Sequence, residues 1–304
     1  MQIKQSRVDL IFDIINNFLM LIILFIMLYP LYFTIVASIS EPSFVALGQV
    51  TILPQGFTWD AYKNVFQNPK IWGGYRVSLI NTLIGVILNL ILTIPTSYVL
   101  SKKRLHGRTF FSWYFLFTMY FGGGLIPSYL LIRSLNLVNK PYTLILLGGL
   151  SIYNMVVSRI FFQTSIPEEL YEAARVDGGS NYIQFFSIAL PLSKPIIAVM
   201  ILFYAVDRWN DYFTALIYVT DSTLFPLQVV LRNILISNQA LLGQVNSGSL
   251  VMDEDQLAII IRNAYLAESM KYSLIFIASA PMLIAYPFVQ KHFIKGVMIG
   301  SLKG

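Results

Sequence analysis

From Phe18 to Leu28 the chain is apolar without interruption, and five further stretches are nearly as apolar. About 20 predominantly apolar residues are enough for a helix to cross the roughly 30 Å of hydrocarbon in a bilayer. Six such stretches stand near residues 10–38, 76–100, 109–131, 142–162, 192–219 and 272–290. Strands of a membrane barrel would alternate polar and apolar side chains, which these runs do not, so helices are the way to satisfy the backbone in lipid. Only 12% of the 304 residues are charged, about half the share in a soluble domain. The reading is an all-α membrane protein with six transmembrane helices. No internal repeat, low-complexity tract or soluble boundary interrupts it, so residues 1–304 read as a single membrane domain.

Six spans place both termini on one side. With the N-terminus inside, the inner segments hold twelve Lys and Arg and the outer segments eight. The short loop Ser101–Arg108 alone carries Lys102, Lys103, Arg104 and Arg108, which is the strongest vote for a cytoplasmic N-terminus. The first apolar stretch is too long for a signal-peptide core and reads as a retained span. Outer loops then cover residues 39–75 and 220–270. Within the first, Thr58-Trp59-Asp60-Ala61-Tyr62-Lys63-Asn64-Val65-Phe66 has a candidate N-cap and helically spaced aromatics. It reads either as a helix lying in the headgroup region or as one packed on other outer loops.

Between the fourth and fifth spans, in the loop 163–190, runs Ser165-Ile-Pro-Glu168-Glu169-Leu170-Tyr171-Glu172-Ala173-Ala174-Arg175-Val176-Asp177-Gly178-Gly179-Ser180. Ser165 and Glu168 have capping-box spacing, Pro167 suits a first turn, and the acidic pair favours the positive end of a helix. Gly178 or Gly179 can close that helix in the left-handed conformation, and Ser180 can cap the next. Ala173 and Ala174 leave a strip of nearly bare backbone flanked by Glu172 and Arg175. By pattern alone this is either a docking strip for a partner or an amphipathic connector resting on headgroups.

Glu172-Ala173-Ala174, three residues, Gly178, nine residues, Ile188, one residue, Leu190-Pro191 matches in full the EAA signature of permease subunits of binding-protein-dependent ABC importers. Phe121-Gly-Gly-Gly-Leu-Ile-Pro127, Trp209-Asn210, Tyr286-Pro287-Phe288 and the ending Lys295–Gly304 extend the resemblance to the carbohydrate-uptake branch, the maltose-permease-like LplC/YtcP type. It covers essentially the whole chain. The resemblance implies a type I ABC importer permease fold with a cytoplasmic coupling helix, in the plasma membrane. It implies a heterodimer with a second homologous permease, two cytoplasmic ATPase subunits that bind ATP and Mg, and an extracellular lipoprotein-type substrate-binding protein. It also implies that Glu168, Glu169, Glu172, Ala173, Ala174, Asp177 and Gly178 couple to the ATPase. Lys295, Gly296 and Lys303 fall in a tail that in this family reaches the ATPase subunits; a frayed basic terminus is the plainer reading. The cargo implied is an oligosaccharide.

The chain itself reads as non-enzymatic. It has no G-x-x-x-x-G-K-[ST] loop for phosphate, no Cys, and two well-separated His beside basic residues at span ends. No cofactor, metal or nucleic acid is expected. The Gly122-Gly123-Gly124 run reads as a helix breaker. Charge inside the spans gathers at Asp207-Arg208-Trp209-Asn210-Asp211-Tyr212. Such groups at membrane depth face each other or a cavity. They read either as an internal network, with Arg208 meeting Asp211 at i, i+3, or as a substrate path lined by Trp209, Asn210, Asp211 and Tyr212. The alternative to the ATP-driven importer is an ion-gradient secondary transporter with the Asp207 to Asp211 group as its coupling site.

Overall fold

A computed structural model describes residues 7–246 and 254–301. Among the described residues the structure is helical, with no strand. The principal helices in chain order are α1 (Arg7–Ser38), α2 (Asp60–Gln67), α3 (Pro69–Ser101), α4 (Arg108–Tyr120), α5 (Leu125–Ser134) and α6 (Thr143–Leu146). They continue with α7 (Ile152–Thr164), α8 (Glu168–Val176), α9 (Asn181–Leu192), α10 (Lys194–Asn210), α11 (Phe213–Tyr218), α12 (Leu227–Asn246) and α13 (Glu254–Ser301).

Among the described residues two single helices are long and apolar enough to cross a membrane, Val8–Ser38 and α3. Two further apolar stretches are helix pairs, α4 and α5 bent by 111° and α9 and α10 bent by 75°. The first bend falls on the glycine run, where nothing but backbone resists folding away from the helix axis. The second falls at Ser193 between Pro191 and Pro195, each of which lacks the N–H that would continue a helical ladder. The 142–162 stretch is interrupted as well: α6 stops at Leu146 and α7 starts at Ile152. Residues 220–270 hold α12 and the start of α13.

The chain divides into two compact units, residues 1–69 with 231–279, and residues 70–230 with 280–304. In the first, α1 is exposed on all sides from Val8 to Leu31 and buries only its C-terminal end. A helix apolar all round and uncovered by protein is suited to lipid. Val36, Ala37, Val45 and Val50 form its small core with Phe33, Phe44 and Tyr272. In α2, Ala61 and Val65 share the buried face, and the Tyr62 hydroxyl meets Ser38 Oγ at 2.8 Å. Trp59 precedes that helix and is half exposed, with Phe57 edge-on to it.

The second unit is organised by α3. Ser78, Thr82, Asn89, Thr93 and Ser97 recur every one or two turns on its buried side. Small polar residues let neighbouring helices approach closely and bond across in lipid. Ser78 Oγ accepts from Leu227 N–H at 2.8 Å, Thr93 Oγ1 meets Tyr204 hydroxyl at 2.6 Å, and Ser97 Oγ donates to Met155 carbonyl at 2.8 Å. Below them Ile94, Tyr98, Phe162, Ile166, Tyr171, Met200 and Tyr204 make the main apolar core.

Candidate functional site

The helix carrying the EAA residues, α8, starts later than a capping box would place it. Its N-cap is Pro167, with no side-chain cap, and Ser165 instead terminates α7. The box does not form because Ser165 is already spent in near-helical backbone as the C-cap of α7. Glu168 and Glu169 nevertheless occupy the first turn, where the helix dipole favours carboxylates. The far end is closed by Gly178, at φ +79°. Gly179 N–H bonds the Ala174 carbonyl at 2.7 Å and Gly178 N–H bonds Arg175 carbonyl at 3.0 Å, the paired bonds of a Schellman stop. A Cβ on Gly179 would lie 2.7 Å from the Ala174 carbonyl oxygen. Ser180 Oγ then accepts from Ile183 N–H at 3.4 Å and starts α9. Helix, sharp turn and helix follow as the glycine pair and Ser180 suggest.

One side chain of α8 is fully buried. Tyr171 sits between Tyr98, at 6.1 Å between rings, and the core around Phe162 and Ile166. Burying such a ring is worth about 1.5–3 kcal/mol, so α8 is anchored to the end of α3. Burial, reinforced by Tyr98 and Glu168, pushes its phenol further up. The Lys102 ammonium lies over the Tyr171 ring, 2.8 Å from its centre. Desolvation lowers Lys102 to about 8, Glu168 opposing the shift and Arg175 adding to it. Arg175 spans Glu168 at 3.8 Å and Glu172 at 3.5 Å. On the other side Glu169, Leu170, Glu172, Ala173, Val176 and Asp177 are exposed, Val176 at 87%, and Ala174 is half-buried. The structure thus groups Glu168, Glu169, Glu172, Ala173, Ala174, Asp177 and Gly178 on one short, rigidly stopped helix with its small-residue strip uncovered.

The intramembrane charge has a different set of partners from the one the i, i+3 spacing suggests. Among the described residues no carboxylate lies within 4.0 Å of Arg208. Its guanidinium donates instead to the carbonyls of Leu144, Leu147 (2.7 Å), Ile145 (3.1 Å) and Gly148 (3.1 Å), and to Asn89 Oδ1 (3.0 Å). Asn89 Nδ2 completes the set by donating to Gly148 and Gly149 carbonyls at 2.7 and 2.8 Å. These carbonyls lie in the last turn of α6 and in the break that follows it, where helical bonding lapses. Irregular backbone at membrane depth has to be satisfied by protein or by a wet cavity. Arg208 supplies the bonds with a fixed fork of donors.

The four substrate-path candidates do not sit together. Trp209 is 2% exposed and packs on Tyr75, 5.8 Å between rings. Asn210 and Asp211 line a cavity of about 370 Å³ with Ser151, Tyr204, Asp207 and Thr214. Asp211 also accepts from Thr214 N–H, in the first turn of α11, at 3.1 Å. Tyr212 is exposed outside that cavity's lining. Asn89, which fixes the whole arrangement, has a signal in the sequence: a polar residue every turn or two within an otherwise apolar helix. Lys303 lies outside the described residues. Lys295 and Gly296 fall on α13, the Lys295 side chain outside what is described.

Residues 71–298 match the model of the binding-protein-dependent transport system inner membrane component family. The chain belongs to this family and is a permease subunit of an ABC importer, a multi-pass membrane protein. It is 39% identical to Protein LplC of Bacillus subtilis (strain 168), over 99% of this chain and 97% of that one. It is 36% identical to the polygalacturonan/rhamnogalacturonan transport system permease protein YtcP of the same organism, over 97% and 99%. A chain in the crystal structure of a bacterial ABC transporter involved in the import of the acidic polysaccharide alginate superposes with a TM-score of 0.82. The identity there is 32%, over 96% of this chain and all of that one. These likenesses favour the ATP-driven importer over the ion-gradient alternative, and a non-catalytic subunit that works with an ATPase and a substrate-binding protein.

Proposed function

We propose that this permease passes an oligosaccharide, acidic in character, from an extracellular binding protein to the cytoplasm by alternating access. It does so in six spans with both termini inside, paired with a second, non-identical permease. Two cytoplasmic ATPase subunits bind ATP and Mg, and α8 is the coupling helix that one of them grips. The observation that carries this reading is α8 itself, pinned on one face through Tyr171, stopped at Gly178, and bare on the other along Leu170, Ala173 and Val176. A lever needs both an anchored face and a free one. Glu169 and Glu172 beside the bare strip offer carboxylates to a basic partner, and Lys295, Gly296 and Lys303 add a second reach toward the ATPase.

The acidic cargo is supported by the named substrates of two relatives, polygalacturonan and alginate. Arg76 and Lys140 line a cavity of about 500 Å³ and are cations suited to carboxylates, whereas Arg208 is committed to backbone. The test is Glu172→Lys in the assembled importer. Stimulation of ATP hydrolysis by the loaded binding protein falls at least several-fold, while the subunit still inserts in the membrane. Full stimulation with this substitution contradicts the reading.

A further inference from the structure

The loop after α3 and the coupling helix enclose a cavity of about 360 Å³ that the coupling role leaves unused. Its volume falls in the ~300–1,000 Å³ range of sites for small ligands. Lys102, Lys103, Arg104 and His106 line it from the loop, Arg175 and Glu168 from α8. Glu168 is the one carboxylate in that lining, and it is already within ion-pairing distance of Arg175. Among the described residues, Lys102, Lys103 and Arg104 have no carboxylate within 4.0 Å. Lys102 is also the residue whose ammonium is most deprived of water here, as its fall to about 8 records. The remainder of the wall is Tyr98, Val99 and Leu105 together with the side-chain amides of Asn181 and Gln184. The cavity therefore presents three cations without an ion-pair partner among the described residues, Lys102, Lys103 and Arg104, at the end of a membrane-spanning helix, beside the apolar side chains of Val99 and Leu105 on which a glycerol backbone can rest. Basic pockets at that depth, on the leaflet rich in anionic lipid, suit phosphodiester headgroups.

We propose that this cavity binds the phosphodiester headgroup of an anionic phospholipid, which ties the coupling helix to the end of α3. The inference rests on the orientation proposed above, in which the 102–108 loop faces the cytoplasm. A headgroup held by Lys102, Lys103 and Arg104 on one wall and Arg175 on the other makes α8 and α3 move together. Anionic lipid then raises the fraction of ATP hydrolysis that is linked to transport.

The test uses the assembled importer in nanodiscs of pure phosphatidylcholine and of phosphatidylcholine with phosphatidylglycerol, comparing wild type with the double variant Lys103→Gln, Arg104→Gln. Both side chains are exposed, so the substitutions leave the core intact. In wild type, phosphatidylglycerol raises binding-protein-stimulated ATP hydrolysis at least three-fold, and native mass spectrometry finds it retained on the complex. In the double variant both effects are lost, while activity in pure phosphatidylcholine is unchanged. Adding inorganic phosphate or glycerol phosphate to the phosphatidylcholine discs separates the two sources of the same chemistry. If either free anion reproduces the rise, the ligand is a soluble phosphate and the lipid assignment is overturned. An equal response to phosphatidylglycerol in wild type and variant overturns it too, as does no retention in either. Stimulation by the binding protein in pure phosphatidylcholine tests the importer reading separately, because it does not need the lipid.

Discussion

Arg208→Met keeps most of the side chain's volume and removes every donor. In the native arrangement the guanidinium holds four carbonyls of the α6–α7 break and orients Asn89. Gly148 retains its bond from Asn89, which leaves the carbonyls of Leu144, Ile145 and Leu147 without the Arg208 donor. A buried acceptor left unsatisfied costs about 1–3 kcal/mol. Water entering the neighbouring cavity replaces part of each bond, so the sum is nearer to 2–4 kcal/mol than to the upper limit. For a chain of this size that is a fall in melting midpoint on the order of 5–10 °C, read by thermal unfolding of the detergent-purified importer. Arg208→Lys recovers only part of it, since a single ammonium cannot reproduce the planar fork. Asp207→Asn, by contrast, stays within about 0.5 kcal/mol of wild type. Wild-type stability in Arg208→Met, or a larger loss in Asp207→Asn, would refute the backbone-holding role.

Three more outcomes follow from the same geometry. Gly178→Val places a β-branched residue at φ +79°, which costs on the order of 1–2 kcal/mol. It frays the end of α8, and at unchanged expression it lowers transport more than Gly178→Asn, which tolerates that backbone. Lys102 loses its proton near pH 8 in the folded chain, against 10.5 for an ordinary lysine. The unfolded state therefore binds more protons between those values, and stability rises with pH across that window. Lys102→Met abolishes the rise, and an amine-reactive probe labels Lys102 half-maximally near pH 8. Asn210→Ala weakens uptake affinity without lowering the melting midpoint, whereas Trp209→Ala lowers the midpoint because it empties a buried site against Tyr75. Equal melting points for those two substitutions contradict the separation of their roles.

The helix α8 and its stop were legible because their punctuation is local. Pro167, Gly178 and Ser180 each act within a turn of themselves, and the spacing of the EAA residues is a linear pattern. The one misreading there, a capping box at Ser165, arose because two helices competed for the same residue and α7 took it. The intramembrane site was less legible for the opposite reason. Arg208 and Asp211 stand three apart, so an ion pair was the economical reading. The break at 147–151, some 60 positions away, offered Arg208 several carbonyls at once. Hydropathy records that a stretch is apolar, and it does not record where the helix inside it stops. The run at 142–162 therefore hid the break, and the run at 109–131 hid a 111° bend even though the glycine run marks its place. Trp209 was read with its neighbour Asn210 as lining the path, and the structure buries it against Tyr75.

The account as a whole turns on the exposed strip of α8 being held by the ATPase. The chain has no cysteine, so Ala173→Cys gives a unique thiol on that strip, with Trp113→Cys, an exposed position of α4 within the 109–131 span, as the control. In the importing complex the thiol at 173 forms a short-linker adduct with the ATPase subunit, at a yield that changes when ATP binds, and the thiol at 113 does not. No adduct from position 173 in a complex that is importing its sugar would contradict the account directly.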